Sequence, residues 1–112
     1  MRIKEFSKKS GVSARMLRYY EEQGLLNPGR TSAGYRKFTS LDLVIIRNIK
    51  SLQQIGLTLD TIRVLMPCIL DEPVKQAPCP LMLDILRKQR EKIKEELGKN
   101  FQALLLLDKY LS

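Results

Sequence analysis

The chain has 112 residues and carries 20 lysines and arginines against 12 acids, a formal charge of +8. That length is one domain with room for a modest core. It has no histidine, which removes the commonest general base and metal ligand. Its longest apolar run, Ala103 to Leu107, is five residues, far short of the ~18 that a membrane span needs.

The opening Met1-Arg-Ile-Lys-Glu-Phe6 lacks the apolar segment and small-residue cleavage site of a signal peptide. The expected location is cytoplasmic, with no membrane partner, and the two cysteines are expected as thiols rather than as a structural disulfide. The charge is uneven. Residues 1–66 hold 12 basic and 5 acidic residues, whereas residues 67–112 hold 8 and 7. A basic module joined to a nearly neutral one points to nucleic acid or an anionic membrane surface. A merely soluble basic protein would carry the same charge.

Ile3 to Ser10 reads as a short helix with Ile3 and Phe6 on one face, stopped by Gly11. Ser13 then caps a second helix that runs to about Gln23 and ends at Gly24. Two short helices around a tight glycine turn are a helix-turn-helix signature. Asn27-Pro28-Gly29 and Ala33-Gly34 are turn signals. Leu25 and Leu26 on one side and Tyr35 to Phe38 on the other are expected to pair as a small basic hairpin, a wing that leans on the helices.

Thr39 or Ser40 caps a third helix, and Asp42 in its first turn suits the helix dipole. Leu41, Val44, Ile45, Ile49, Leu52 and Ile55 form its apolar stripe, and Gly56 ends it. Thr58 caps a fourth helix with Leu59, Ile62, Leu65 and Met66 inward, and Pro67 is expected to end it. Cys68 to Pro80 contains Pro73, Pro78 and Pro80 and reads as a linker. Leu81 to about Leu111 reads as one helix of ~30 residues, or ~45 Å. Met82, Leu86, Ile93, Leu97, Phe101, Leu104 and Leu111 run along it, with Ile85 and Leu107 beside them and a charged break from Arg87 to Lys92. Leu86 and Leu104 lie 18 residues apart, five helical turns, so the stripe keeps one face. Such a stripe needs another helix against it. The same helix of a second copy gives a two-fold coiled coil; the competing arrangement folds it back onto helices three and four.

These residues carry a family resemblance. Ser13-x-Arg15-x-Leu17-Arg18-Tyr19-Tyr20-Glu21-x-x-Gly24-Leu25-Leu26, Gly34-Tyr35-Arg36 and Leu57-Thr58-Leu59-Asp60-x-Ile62 resemble the DNA-binding domain of the MerR (mercury-resistance-regulator type) transcription factors. The long last helix is similar to that family's antiparallel dimerisation helix. The resemblance implies an all-α fold with a small β wing. Its parts are a winged helix-turn-helix DNA-binding domain over residues 1–66, a linker over 67–80 and a coiled-coil dimerisation helix over 81–112. It also implies a homodimer on double-stranded DNA at an inverted-repeat operator, distortion of promoter DNA in response to a signal, and RNA polymerase as a partner. The chain resembles the short form of the family, without an appended effector domain.

The second helix is then the one that enters the major groove. The expected DNA contacts are Ser13, Ala14, Arg15, Arg18, Tyr19 and Tyr20 on that helix and Arg30, Tyr35, Arg36 and Lys37 on the wing. An arginine can read a base edge or hold a phosphate with paired hydrogen bonds. Basic wing residues hold backbone and set position rather than sequence choice. Tyr20 is the one of the two tyrosines expected to pack inward instead, and Leu17 is expected in the core. Arg47, Lys50 and Arg63 are further candidates for flanking phosphates. The expected dimer contacts are Leu86, Ile93, Leu97, Phe101, Leu104 and Leu111.

Cys68 and Cys79 flank the linker and are the candidate sensor. By resemblance Cys79 stands near the position of a metal-binding cysteine in metal-sensing relatives. Two thiols suffice for a soft monovalent ion held linearly, whereas a four-coordinate site needs more ligands. Asp71 and Glu72 are the nearby oxygen donors. Inert thiols, a redox pair and a metal site all fit the sequence, and no resident cofactor is expected. An enzyme is not expected, because the chain offers no phosphate-binding glycine loop and no base-activated nucleophile. A coiled-coil adaptor would leave the basic module idle. A nucleoid- or recombination-type helix-turn-helix protein is the remaining DNA-binding alternative.

Overall fold

The computed structural model describes residues 1–71 and 79–112. Among the described residues, five helices and one two-stranded sheet follow in the order α1 (Ile3–Ser10), α2 (Ala14–Glu22), β1 (Gly29–Arg30), β2 (Arg36–Lys37), α3 (Ser40–Gln54), α4 (Leu59–Asp71) and α5 (Pro80–Leu111). They form two compact units that divide between Pro78 and Cys79.

In the first unit, α1 packs on α2 and α3, and α3 on α4. The core is mostly apolar, with Ser10 as a buried polar residue. Phe6, Leu17, Leu25, Leu26, Phe38, Ile45, Ile46, Ile49, Ile62, Leu65 and Ile69 are all buried. Phe6 of α1 and Phe38, just after β2, stack with ring centroids 4.4 Å apart and planes 9° from parallel. The backbone seals the same place. The Met1 nitrogen donates to the Phe38 carbonyl at 2.6 Å, and the Phe38 N–H donates to the Met1 carbonyl at 2.7 Å.

Local chemistry sets the helix ends. Gly11 sits at φ 71° and returns its N–H to the Ser7 carbonyl, which closes α1. The Ser13 hydroxyl oxygen accepts from the Met16 N–H at 3.2 Å and opens α2. Thr39 and Asp42 form a reciprocal capping box at the start of α3. Thr58 accepts from the Thr61 N–H and opens α4. Lys50 Nζ donates to the Ser10 carbonyl, so a cation of α3 sits at the C-terminal end of α1.

Three sequence expectations change. The wing strands are Gly29–Arg30 and Arg36–Lys37, in register Gly29 opposite Lys37 and Arg30 opposite Arg36. Leu25 and Leu26 are not in that hairpin. They are buried at the foot of α2, because two adjacent leucines gain more in the core than on a solvated ribbon. The α3 stripe includes Ile46, which is fully buried, and leaves Leu41 and Ile55 exposed.

Pro67 does not end α4, which continues to Asp71. Proline removes the N–H that would reach the Arg63 carbonyl, at a cost of about 3 kcal/mol. The ring lies on the exposed side, and continuing the helix buries Ile69 beyond it. That burial, about 2–3 kcal/mol for an isoleucine, offsets much of the proline penalty. Of the expected linker, residues 67–71 are helical, while Glu72, Pro73 and Pro78 lie outside the described residues.

The second unit is α5, 32 residues long, with Pro80 in its first turn. None of its residues is buried.

Candidate nucleic-acid interface

The reading face is built on α2. Leu17 and Tyr20 point into the core, which at helical spacing turns Arg15, Arg18 and Tyr19 outward, all exposed. An open groove of about 790 Å³ runs along this face, lined by Arg15, Met16, Arg18, Tyr19, Glu22 and, from α4, Leu59. Among the described residues neither Arg15 nor Arg18 makes an ion pair. Ser13 and Ala14 stand at the N-terminal end of the helix, with the Ser13 oxygen engaged as the cap.

Tyr20 is a correction to the expected set of DNA contacts. It is 4% exposed, and its hydroxyl donates to Gln53 Oε1 at 2.6 Å. A ring with its one polar atom already bonded across to α3 is a core residue. Burial pushes the Tyr20 pKa up from its ordinary value, and the Gln53 hydrogen bond works the other way.

The wing is fastened to α2 by one carboxylate. Glu21 accepts from Arg30 Nη2 at 2.7 Å through one oxygen and from Arg36 Nε at 2.6 Å through the other. Each arginine sits on a different strand, directly opposite the other. A hairpin of two residues a side is marginal alone, and this clamp ties both strands to the helix that precedes them. At the tip, the Thr31 N–H donates to the Tyr35 carbonyl at 2.8 Å, and Gly34 takes φ 85°, a conformation that favours glycine. Tyr35 is 55% exposed, with the Arg2 guanidinium 4.4 Å from its ring centre. Lys37 is exposed.

Two other candidate phosphate contacts have structural partners. Lys50 is half-buried on the Ser10 carbonyl. Arg63 donates to the Gln23 carbonyl at 2.9 Å, to Gln23 Oε1 at 2.7 Å and to Asp60 at 2.7 Å, which fixes α4 to the end of α2. Arg47 is exposed. Sequence reasoning missed Arg2, whose place beside the wing is a tertiary fact. It also missed the part of Glu21, although Glu21 stood in the quoted motif.

On α5, Ile93, Leu97, Phe101, Leu104 and Leu111 are all exposed, Leu97 by 67% and Leu111 by 75%, while Leu86 is half-exposed. Leu105, Leu106 and Tyr110 are exposed as well, off the expected stripe. Cys68 and Cys79 are both disulfide-bonded, contrary to the expected thiols. Among the described residues no group of three or more carboxylates and cysteines could hold a metal ion. No helix among them is long and apolar enough to cross a membrane.

Comparison with known proteins decides the family. The model of the MerR HTH family regulatory protein matches residues 1–68. The chain belongs to the MerR family. A second MerR model, described as MerR, DNA binding, matches residues 43–99. The HTH-type transcriptional regulator HmrR of Sinorhizobium medicae is 40% identical over 67 residues, covering 59% of this chain and 46% of HmrR. The chain spans about half the length of several such curated relatives. Among solved structures, HiNmlR, a MerR family regulator lacking the sensor domain, bound to promoter DNA, is 28% identical. It aligns with a TM-score of 0.67 over 98% of this chain and 86% of that one. EcmrR in its DNA complex in EcmrR-RPo aligns with a TM-score of 0.77 at 29% identity, over 99% of this chain and 38% of that one.

The Glu21 clamp has a measurable consequence. Glu21→Ala releases both strands, so amide hydrogen exchange over residues 29–37 is expected to quicken, while the cost in global stability stays at about 1 kcal/mol, because the carboxylate and both arginines remain partly in water. Unchanged exchange in the wing would show that the clamp does not hold it.

Proposed function

We propose that this chain is a sequence-specific DNA-binding transcriptional regulator and not an enzyme. It acts as a homodimer on an inverted-repeat operator, with α2 in the major groove and the wing on the adjoining backbone. In this reading Arg18 is a base reader, Arg15 reaches base or phosphate, and Tyr19 covers sugar or bonds phosphate. Ser13 and Ala14 approach the groove at the helix start. Tyr35 and Lys37 hold backbone, and Arg30 and Arg36 act from their places on Glu21. The observation that carries the reading is the unpaired Arg15–Arg18–Tyr19 face of α2 set beside a basic wing. The likeness to HiNmlR, which is bound to promoter DNA, supports it.

The dimer rests on α5. A helix of 32 residues with no buried side chain and a long apolar stripe requires cover. A second copy in antiparallel pairing supplies an identical stripe. By the likeness to EcmrR in EcmrR-RPo, RNA polymerase at the promoter is the further partner, and the regulator acts there by distorting promoter DNA.

A narrower reading is favoured by the disulfide form of Cys68 and Cys79. The pair is a redox-responsive sensor: two thiols give up two electrons and two protons to a peroxide, which leaves as water. The duplex upstream of the chain's own gene is expected to bind with different affinity before and after reduction, and Cys68→Ser/Cys79→Ser is expected to lose that difference. Equal response in both proteins would remove the sensor role.

Arg18→Ala is expected to abolish discrimination between that upstream duplex and an unrelated one in fluorescence anisotropy, with the circular dichroism spectrum unchanged. Leu104→Asp is expected to give a monomer in sedimentation equilibrium. Retained discrimination would remove α2 as reader, and a surviving dimer would remove the α5 stripe as interface.

A further inference from the structure

A second basic surface lies away from the α2 groove, where the first two residues meet the wing. It is a cleft of about 510 Å³ backed by Met1 and lined by Arg2, Arg30, Thr31, Ser32, Arg36 and Lys37. The lining side chains carry four cations, two hydroxyls and no carboxylate. Glu21 answers Arg30 and Arg36 together, one charge against two. Among the described residues Arg2 and Lys37 have no ion pair at all. The cleft is therefore strongly positive after its own partners are counted.

The cleft is also built rather than loose. The paired backbone bonds between Met1 and Phe38 hold the first residues alongside the end of β2. The Phe6–Phe38 stack anchors the same junction from the core. Arg2 then lays its guanidinium over the Tyr35 ring at 4.4 Å. A guanidinium held over a ring face is restrained there and keeps N–H groups available to donate. That is the presentation that grips a phosphate with two parallel hydrogen bonds. The Thr31 oxygen accepts from the Tyr35 N–H at 3.2 Å, which leaves the hydroxyl proton to donate outward.

We infer that this cleft seats a phosphate of the DNA backbone, with Arg2 as its principal ligand, Lys37 as the second cation and Tyr35 as the platform that holds Arg2 in place. The inference rests on the DNA-binding reading and deepens it. It separates two tasks on one unit. The α2 face distinguishes sequences, and the Arg2 cleft contributes affinity without regard to sequence. A point charge from lysine supplies attraction there but not the paired geometry, so Arg2 and lysine are not equivalent at this position.

The test uses the full chain and two labelled duplexes of equal length, one from upstream of its own gene and one unrelated. Anisotropy titrations over a range of potassium chloride concentrations give affinity and its salt slope. Arg2→Ala is expected to weaken both duplexes by the same factor, about tenfold per subunit at 0.1 M salt, and to lower the salt slope by about one per subunit. Arg2→Lys recovers the slope but only part of the affinity, and Tyr35→Leu falls between wild type and Arg2→Ala. Arg18→Ala, run beside them, loses the difference between duplexes and keeps the Arg2 contribution. Circular dichroism and a melting curve for each variant show that it is folded. Three results overturn the inference. If Arg2→Ala matches wild type in affinity and slope while Arg18→Ala loses discrimination, DNA reading stands and the cleft is no phosphate seat. If Arg2→Ala loses only the upstream duplex, Arg2 reads bases. If wild type binds neither duplex, the DNA-binding reading fails, and this one fails with it.

Discussion

The stacked pair Phe6–Phe38 is the contact on which the rest of the first unit depends. One ring belongs to the first helix and the other to the residue that leaves the wing. Both are essentially inaccessible to water. Their contact decides where the wing is rooted relative to α1, and α1 packs against α2. An aromatic pair of this size contributes through burial and through its ring contact, far more than the four residues of the β ladder could by themselves. Without the stack, the hairpin would have no fixed base, the backbone bonds of Met1 to Phe38 would lose their setting, and Arg2 would not meet Tyr35.

On that apolar base the unit distributes its cations into two kinds. Lys50 and Arg63 are spent internally, one at the end of α1 and the other joining α4 to α2. Arg30 and Arg36 share Glu21 and hold the wing. Arg15, Arg18, Arg2 and Lys37 have no acidic partner among the described residues. Hydrogen bonds and shared carboxylates hold the structural cations in place, and leaving the others unpaired keeps charge where a polyanion can take it. Electrostatics thus assigns the same residue type to opposite roles according to its neighbours.

Local signals made much of this legible from the sequence. Gly11, Ser13, Thr39 and Thr58 act through bonds that span three or four residues, so helix ends could be read from them. Tyr20 stands three residues after Leu17 on the same face, so the sequence left it open between a DNA contact and an inward-packing ring, and only its burial decides. What could not be read depends on contacts distant in sequence. Pro67 looks like a stop until the burial of Ile69 is known. Leu25 and Leu26 look like a strand until they are seen in the core. Arg63 looks like a surface cation until Gln23, 40 residues earlier, takes up its donors. Arg2 shows no pattern at all, because only the fold brings it to Tyr35. On α5 the apolar stripe was plain, and the exposed Leu105, Leu106 and Tyr110 beside it show that more of the helix needs cover than one seam.

The central claim is that two identical units read DNA together, each with a groove helix and a wing. Hydroxyl-radical footprinting of the full chain on the DNA upstream of its own gene tests this most directly. The account predicts two protected patches related by a two-fold axis, with the spacing of half-sites on one face of the helix, about 34 Å or a multiple of it. A single unpaired patch, or protection spread evenly along the duplex, would contradict it.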